Sequence, residues 1–180
     1  MKFLLKKELL LAIVLLASSY SVSFANDTPF NAEAISSKYN LPQFLQGRVT
    51  VDTYRHWLLV KAKSLHSRDL RKKRPYAKPG TWTEYRQAIH EAVVRAGEFD
   101  PFTGAALQWE LISTWDDKSA KDCGQEYIKK FYLLPTADHT DPSKLDFEIC
   151  SWLVNMCKTH LSADEFLNLC KTVTDFRVKK

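Results

Sequence analysis

The stretch from residue 131 to residue 160 leaves this chain few folding choices. A short apolar run, residues 131–134, reads as a strand ended by Pro135 and leads directly to Asp138-His139. Asp141-Pro142-Ser143 then marks a turn. Residues 147–152 alternate at period two, which predicts a second strand, and a helix carrying Asn155 and Lys158 is expected to start near Leu153. Strand, turn, strand and helix in that order make a ββα unit.

Upstream, the periodicity is helical. From about Val51, the residues Tyr54, Trp57, Leu58, Lys61, Ala62 and Leu65 recur at a spacing near 3.6. This helix must stop before Arg74-Pro75, because proline disfavours helix in the residue before it. In the next helix Thr81-x-x-Glu84 reads as a capping box, Tyr85, Ala88, Ile89, Ala92, Val93 and Ala96 form the apolar face, and Gly97 supplies the stop. His90 lies beside that face and reads as structural. Asp100-Pro101-Phe102-Thr103-Gly104 is a turn, and residues 107–115 fit either a strand or a short helix. A helical piece is expected over residues 123–130. Ser162-x-x-Glu165 opens a last helix whose Phe166, Leu169, Cys170 and Val173 are expected to face inward.

Residues 1–25 have the composition of an export signal. Lys2, Lys6 and Lys7 form a basic start, residues 9–17 an apolar run too short for a comfortable membrane span, and Ser23-Phe24-Ala25 offers small residues for cleavage. An uncleaved anchor is the alternative. Cleavage would reduce the net charge from +5 to +3, because three lysines and Glu8 leave together. So small a charge argues little for a polyanionic partner. Its distribution says more: Lys61, Lys63, Arg68, Arg71, Lys72, Lys73, Arg74 and Lys78 cluster and are opposed only by Asp69. The four cysteines, Cys123, Cys150, Cys157 and Cys170, all lie in the C-terminal third. In an oxidising compartment an even count favours one or two disulfides, with buried free thiols as the other reading. No Cys-x-x-Cys pair is present to build a zinc knuckle.

Hydrolysis of a phosphodiester needs a group to deprotonate water, positive charge against the phosphoryl oxygens, and stabilisation of the departing oxygen. Histidine serves the first near neutral pH, its ordinary pKa being about 6.5. Asp138 and His139 point to opposite sides of an extended backbone, so one can bind a metal while the other addresses water. Asn155 offers a neutral carbonyl oxygen, and Lys158 shares its helical face. Taken singly these residues have ordinary uses. Asp138-His139 could be turn residues, Asn155 a helix-start residue and the basic cluster a solvated helix end.

Taken together they resemble the HNH nucleases, which carry Asp-His at the end of the first strand, Asn-Leu opening the second and Asn-x-x-Lys on the helix. Asp146-Phe147 stands here in place of Asn-Leu, and Asn155 follows Asp146 by nine residues, as in the family pattern. Asp100 and Thr103 stand where a first zinc-binding cysteine pair would lie, and Ser151 and Val154 where the second would. The resemblance covers about residues 99–170. It implies that His139 is the general base, that Asp138 and Asn155 hold one divalent cation, Mg²⁺ for preference, and that Lys158 neutralises a phosphate oxygen. Asp146 would order the loop bearing the base, although an ionised Asp accepts hydrogen bonds and cannot donate them. His160 is a weaker ligand candidate than Asn155, because five residues turn a helix well off that face.

The expectation is an α+β chain: a signal over residues 1–25, a helical basic region over 26–98, and an HNH-like ββα-metal core with a C-terminal helix over 99–180. It would be an exported endonuclease, periplasmic or secreted, cleaving DNA rather than RNA and not held at the membrane once the signal is removed. Lys61, Lys63, Arg68, Arg71, Lys72, Lys73 and Arg74 would contact the nucleic-acid backbone. Trp57, Tyr76 and Trp82 flank that cluster, with burial the default for both tryptophans. Two other classes remain: a secreted nucleic-acid-binding or interaction module without turnover, and a disulfide-stabilised envelope protein.

Overall fold

The computed structural model describes residues 38–178. The expected export signal lies outside them. Among the described residues the chain is α+β, with six α-helices and one small antiparallel sheet of two strands. No described helix is long and apolar enough to cross a membrane.

Helix α1 (Val51–Arg71) is capped by Thr50, whose Oγ1 accepts from the Thr53 amide at 3.1 Å, a contact that contributes about 1 kcal/mol. Its apolar stripe buries Tyr54, Trp57, Leu58, Ala62 and Leu65. Helix α2 (Trp82–Ala96) packs against α1 and against the sheet with Tyr85, Ile89, Ala92 and Val93. It ends at Gly97, whose φ of 70° lies where a side chain would be strained. The capping box expected at its start does not form: the Thr81 hydroxyl donates backwards to the Lys78 carbonyl instead. His90 is structural, lying 2.8 Å through Nδ1 from the Tyr54 hydroxyl.

Residues 107–115 resolve into a 3-10 turn, Trp109–Leu111, whose Trp109 is fully buried. The helical piece expected over 123–130 is two helices, α3 (Asp117–Cys123) and α4 (Gln125–Lys129), broken at Gly124 with φ 57°.

Strand β1 (Pro135–His139) starts where the sequence suggested a strand would end. Residues 131–134 form a turn, and proline opens the strand, a position where its missing N–H costs no ladder bond. Strand β2 (Phe147–Ser151) pairs with it in a register that sets Asp138 opposite Glu148 and His139 opposite Phe147. Helix α5 (Trp152–Lys158) begins one residue earlier than expected, because the Ser151 hydroxyl caps it by accepting from the Val154 amide.

The last helix, α6 (Ala163–Val178), has the expected reciprocal cap between Ser162 and Glu165. Its expected burial is not found. Leu169 and Val173 are about half exposed and Cys170 is exposed; Phe166 is half-buried and meets the Phe102 ring at 5.9 Å. An amphipathic period shows that a helix has an apolar side, not that something covers it.

Candidate active site

Because side chains alternate along a strand, the hairpin divides the expected site between two faces. Thr136, Asp138, Glu148 and Cys150 share one face. Ala137, His139, Phe147 and Ile149 share the other, all buried. Helix α1 runs alongside β1 and reaches both: Lys61 Nζ lies 3.2 Å from Thr136 Oγ1, and Asp69 Oδ2 lies 2.8 Å from His139 Nε2. The spacing matches, since eight helical residues rise about 12 Å and three strand residues about 10 Å.

On the first face the Lys158 ammonium, from α5, lies 2.6 Å from Asp138 Oδ2 and 4.0 Å from Glu148 Oε1. The Lys158 side chain is only 5% exposed, so this pair is largely removed from water. Burial pushes the Glu148 carboxyl above its ordinary range despite Lys158, with Asp138 adding to the effect. Cys150 sits beside them. Burial, with Asp138 and Glu148 nearby, raises its thiol far above the ordinary value, so it stays protonated and inert. All four cysteines are free, and the disulfides expected from their even count are not formed.

On the second face the His139 ring packs on Phe147, with centroids 4.7 Å apart, and is 6% exposed. Its partner Asp69 is fully buried, accepts from the Tyr85 hydroxyl at 3.1 Å and the Tyr76 hydroxyl at 3.3 Å, and forms an ion pair with the Arg74 guanidinium at 3.0 Å. Burial alone would raise the Asp69 carboxyl. The hydrogen bond and charge of His139, with Tyr85 and Arg74, outweigh it and hold the group below its ordinary value. In the sequence Asp69 stands only as the acid opposing a basic cluster. That it stood alone there was the available signal, but its partner lies seventy residues away.

The β1–β2 loop is tied at both ends. The Thr140 hydroxyl donates to Asp146 Oδ2 at 2.8 Å, and Arg95 from α2 reaches Asp146 Oδ1 at 2.9 Å and the Phe147 carbonyl at 3.0 Å. Asp146 thus works as an acceptor in the loop, with donors supplied around it. Arg74 closes the other side by donating to the Pro142 carbonyl.

Beneath the hairpin lies a second polar knot. Asp100 Oδ1 accepts from the Phe102 and Thr103 amides, both at 2.9 Å, and from the Thr103 hydroxyl at 3.0 Å; Oδ2 accepts from the Ser151 amide. Three of the four positions suggested by the zinc-staple comparison, 100, 103 and 151, are therefore joined directly. The fourth, Val154, joins through its amide to Ser151.

The basic cluster divides. Lys63, Arg71, Lys72 and Lys73 are exposed, whereas Lys61, Arg68 and Arg74 are half-buried, Lys61 reaching Thr136 of the hairpin and Arg74 reaching Asp69. Burial, with Arg68 nearby, pushes Lys61 down to about 8. Trp57 is buried, Tyr76 is committed to Asp69, and Trp82 lies under the Lys63 ammonium at 5.7 Å. His160 is exposed on the chain leaving α5.

Comparison of the chain with family models, with curated proteins and with solved structures gives no match to any of them. The functional reading therefore rests on the residues themselves.

A hard divalent cation such as Mg²⁺ binds through one or two carboxylates and keeps several waters. Among the described residues no group of three or more His, Cys, Asp or Glu side chains could hold a metal, so a cation here would rely on Asp138, Asn155 and water. Asp138 uses one oxygen for Lys158 and has no protein hydrogen bond at the other, and the half-buried Asn155 side chain makes none among the described residues. Asn155 precedes Lys158 by one helical turn, on a helix packed against β1. Such an ion would take one oxygen each from Asp138 and Asn155, beside the Lys158 ammonium.

Proposed function

We propose that this chain is an exported HNH-like endonuclease that hydrolyses phosphodiester bonds of nucleic acid, DNA in preference to RNA. The observation that carries the reading is the ββα unit with Asp138 and His139 at the end of its first strand and Lys158 of the following helix against Asp138. The knot of Asp100, Thr103 and Ser151, at the positions where zinc-stapled HNH nucleases hold their ion, supports the same reading.

His139 takes the proton from the attacking water. Asp138 and Asn155 would hold the cation, and Lys158, which offsets the charge of Asp138, would stand beside the phosphate. A bound divalent cation supplies positive charge to the phosphoryl and leaving oxygens. Exposed Lys63, Arg71, Lys72 and Lys73 contact the phosphate backbone without reading sequence. Because Tyr76 lies against the His139 ring, with centroids 6.3 Å apart, reaction at that ring requires the connection between α1 and α2 to yield.

The purified chain should nick supercoiled plasmid in Mg²⁺, and His139→Ala should abolish nicking while retaining the far-ultraviolet spectrum of the fold. Equal cleavage by both proteins would sink the assignment. The burial of His139 and the closed Asp138–Lys158 pair favour a second reading, a nucleic-acid-binding module without turnover. It expects salt-dependent binding, no cleavage, and indifference to chelators.

A further inference from the structure

We propose that Asp69 is the positioning residue of His139, fixing the tautomer in which Nε2 carries the hydrogen and Nδ1 is the basic nitrogen. The inference rests on His139 being the base of the proposed reaction. Its ground is geometric. Asp69 Oδ2 lies 2.8 Å from His139 Nε2, and the other groups around the Asp69 carboxylate are two donors, the Tyr76 and Tyr85 hydroxyls, and one cation, the Arg74 guanidinium. A carboxylate so surrounded stays ionised, and an ionised carboxylate only accepts. The hydrogen between the two groups therefore belongs to the imidazole. Nδ1 has no protein hydrogen bond among the described residues, so its lone pair is left for water.

The same contacts fix the ring in space. Phe147 packs on it, and Asp69 cannot swing away, being itself fully buried and held through both oxygens. Burying a carboxylate is costly unless it is paired and hydrogen-bonded. The chain draws these partners from α2 and the connection that leads to it, gathers them on an acid of α1, and sets the result against one nitrogen of one histidine. A base must present the correct lone pair at the correct angle, and tautomer control of this kind is a recurrent way to secure it.

Nitrogen-15 spectra of the neutral histidine rings test this, the His139 signals being assigned by their loss in His139→Gln. Wild type should show a protonated Nε2 and a bare Nδ1. In Asp69→Asn, whose amide can donate as well as accept, the His139 tautomer should become mixed, and kcat for plasmid nicking should fall about 10- to 1,000-fold with KM within about twofold. Tyr85→Phe removes one bond from Asp69 and leaves its contact with His139, so it should keep the wild-type tautomer; if Asp69→Asn does not fold, the wild-type spectrum decides the matter. A wild-type ring protonated on Nδ1, or a folded Asp69→Asn with undiminished kcat, overturns the proposal. A wild type that shows the Nε2–H tautomer yet cleaves nothing overturns the nuclease reading and leaves the orientation of His139 by Asp69 standing.

Discussion

Asp138 and His139 are consecutive on β1, yet they belong to separate polar networks on opposite faces of the hairpin. Asp138 meets Lys158 at 2.6 Å, and His139 meets Asp69 at 2.8 Å. The two networks can therefore be perturbed one at a time.

Removing Lys158 leaves Asp138 without its counter-charge in a mostly buried place. Lys158→Met should destabilise the protein by roughly 3 kcal/mol, and adding Asp138→Asn should recover part of that loss. Urea unfolding of both single variants and the double variant measures the coupling.

Asp100 accepts four hydrogen bonds while 1% exposed. Its replacement by alanine leaves the Ser151, Phe102 and Thr103 amides without their acceptor. Asp100→Ala should cost about 3 kcal/mol or more, and Asp100→Asn less, because the amide keeps one accepting oxygen. Thermal unfolding checks both, and EDTA should leave the wild-type melting temperature unchanged.

Lys61 gives a pH signature. Burial, with Arg68 nearby, lowers it from the ordinary 10.5 to about 8. Between these values the unfolded chain holds a proton that the folded chain has released, so this group makes stability rise with pH across that window. Below it both states are charged and the cost of burying the ammonium is felt in full. Lys61→Met should be more stable than wild type at neutral pH, and the gap should close as pH rises toward 10.5. Urea midpoints of the two proteins across that range test the sign.

The exposed basic side chains should set any salt dependence of nucleic-acid binding. Each of Lys63, Arg71 and Lys73, changed to alanine, should reduce the slope of log K against log salt by about one if it neutralises one phosphate. Fluorescence anisotropy with a labelled duplex reads this slope. An unchanged slope in the triple variant would remove the cluster from the interface.

Leu169 and Val173 look like core in a helical projection and are not. Leu169→Ser should therefore change stability by no more than about 0.5 kcal/mol, where a buried leucine would cost several-fold more. Chemical denaturation distinguishes the two.

Local signals located α1 and α2, the hairpin and the cap of α6. Where two residues competed for a partner nearby, the sequence misled. Thr81 turned back to the Lys78 carbonyl rather than forward to its helix, and Pro135 began a strand rather than ending one. Asp138 and Lys158 could be brought together from strand and helix geometry because only twenty positions part them. Asp69 could not be joined to His139 that way. Their meeting depends on how α1 lies along β1, which is a property of the packed core and not of either segment. The cysteines misled for a related reason. An even count constrains pairing only if the thiols approach one another, and Cys150 is instead enclosed on β2 beside two carboxylates.

The knot of Asp100, Thr103 and Ser151 bears on how the protein matures. A scaffold stapled by zinc waits for its ion, and its yield follows supply and the chelators around it. Here the turn and the hairpin are joined by a carboxylate, a hydroxyl and main-chain amides that arrive with the polypeptide. Assembly of this joint then depends on folding alone, with no ion needed to hold the turn to the hairpin.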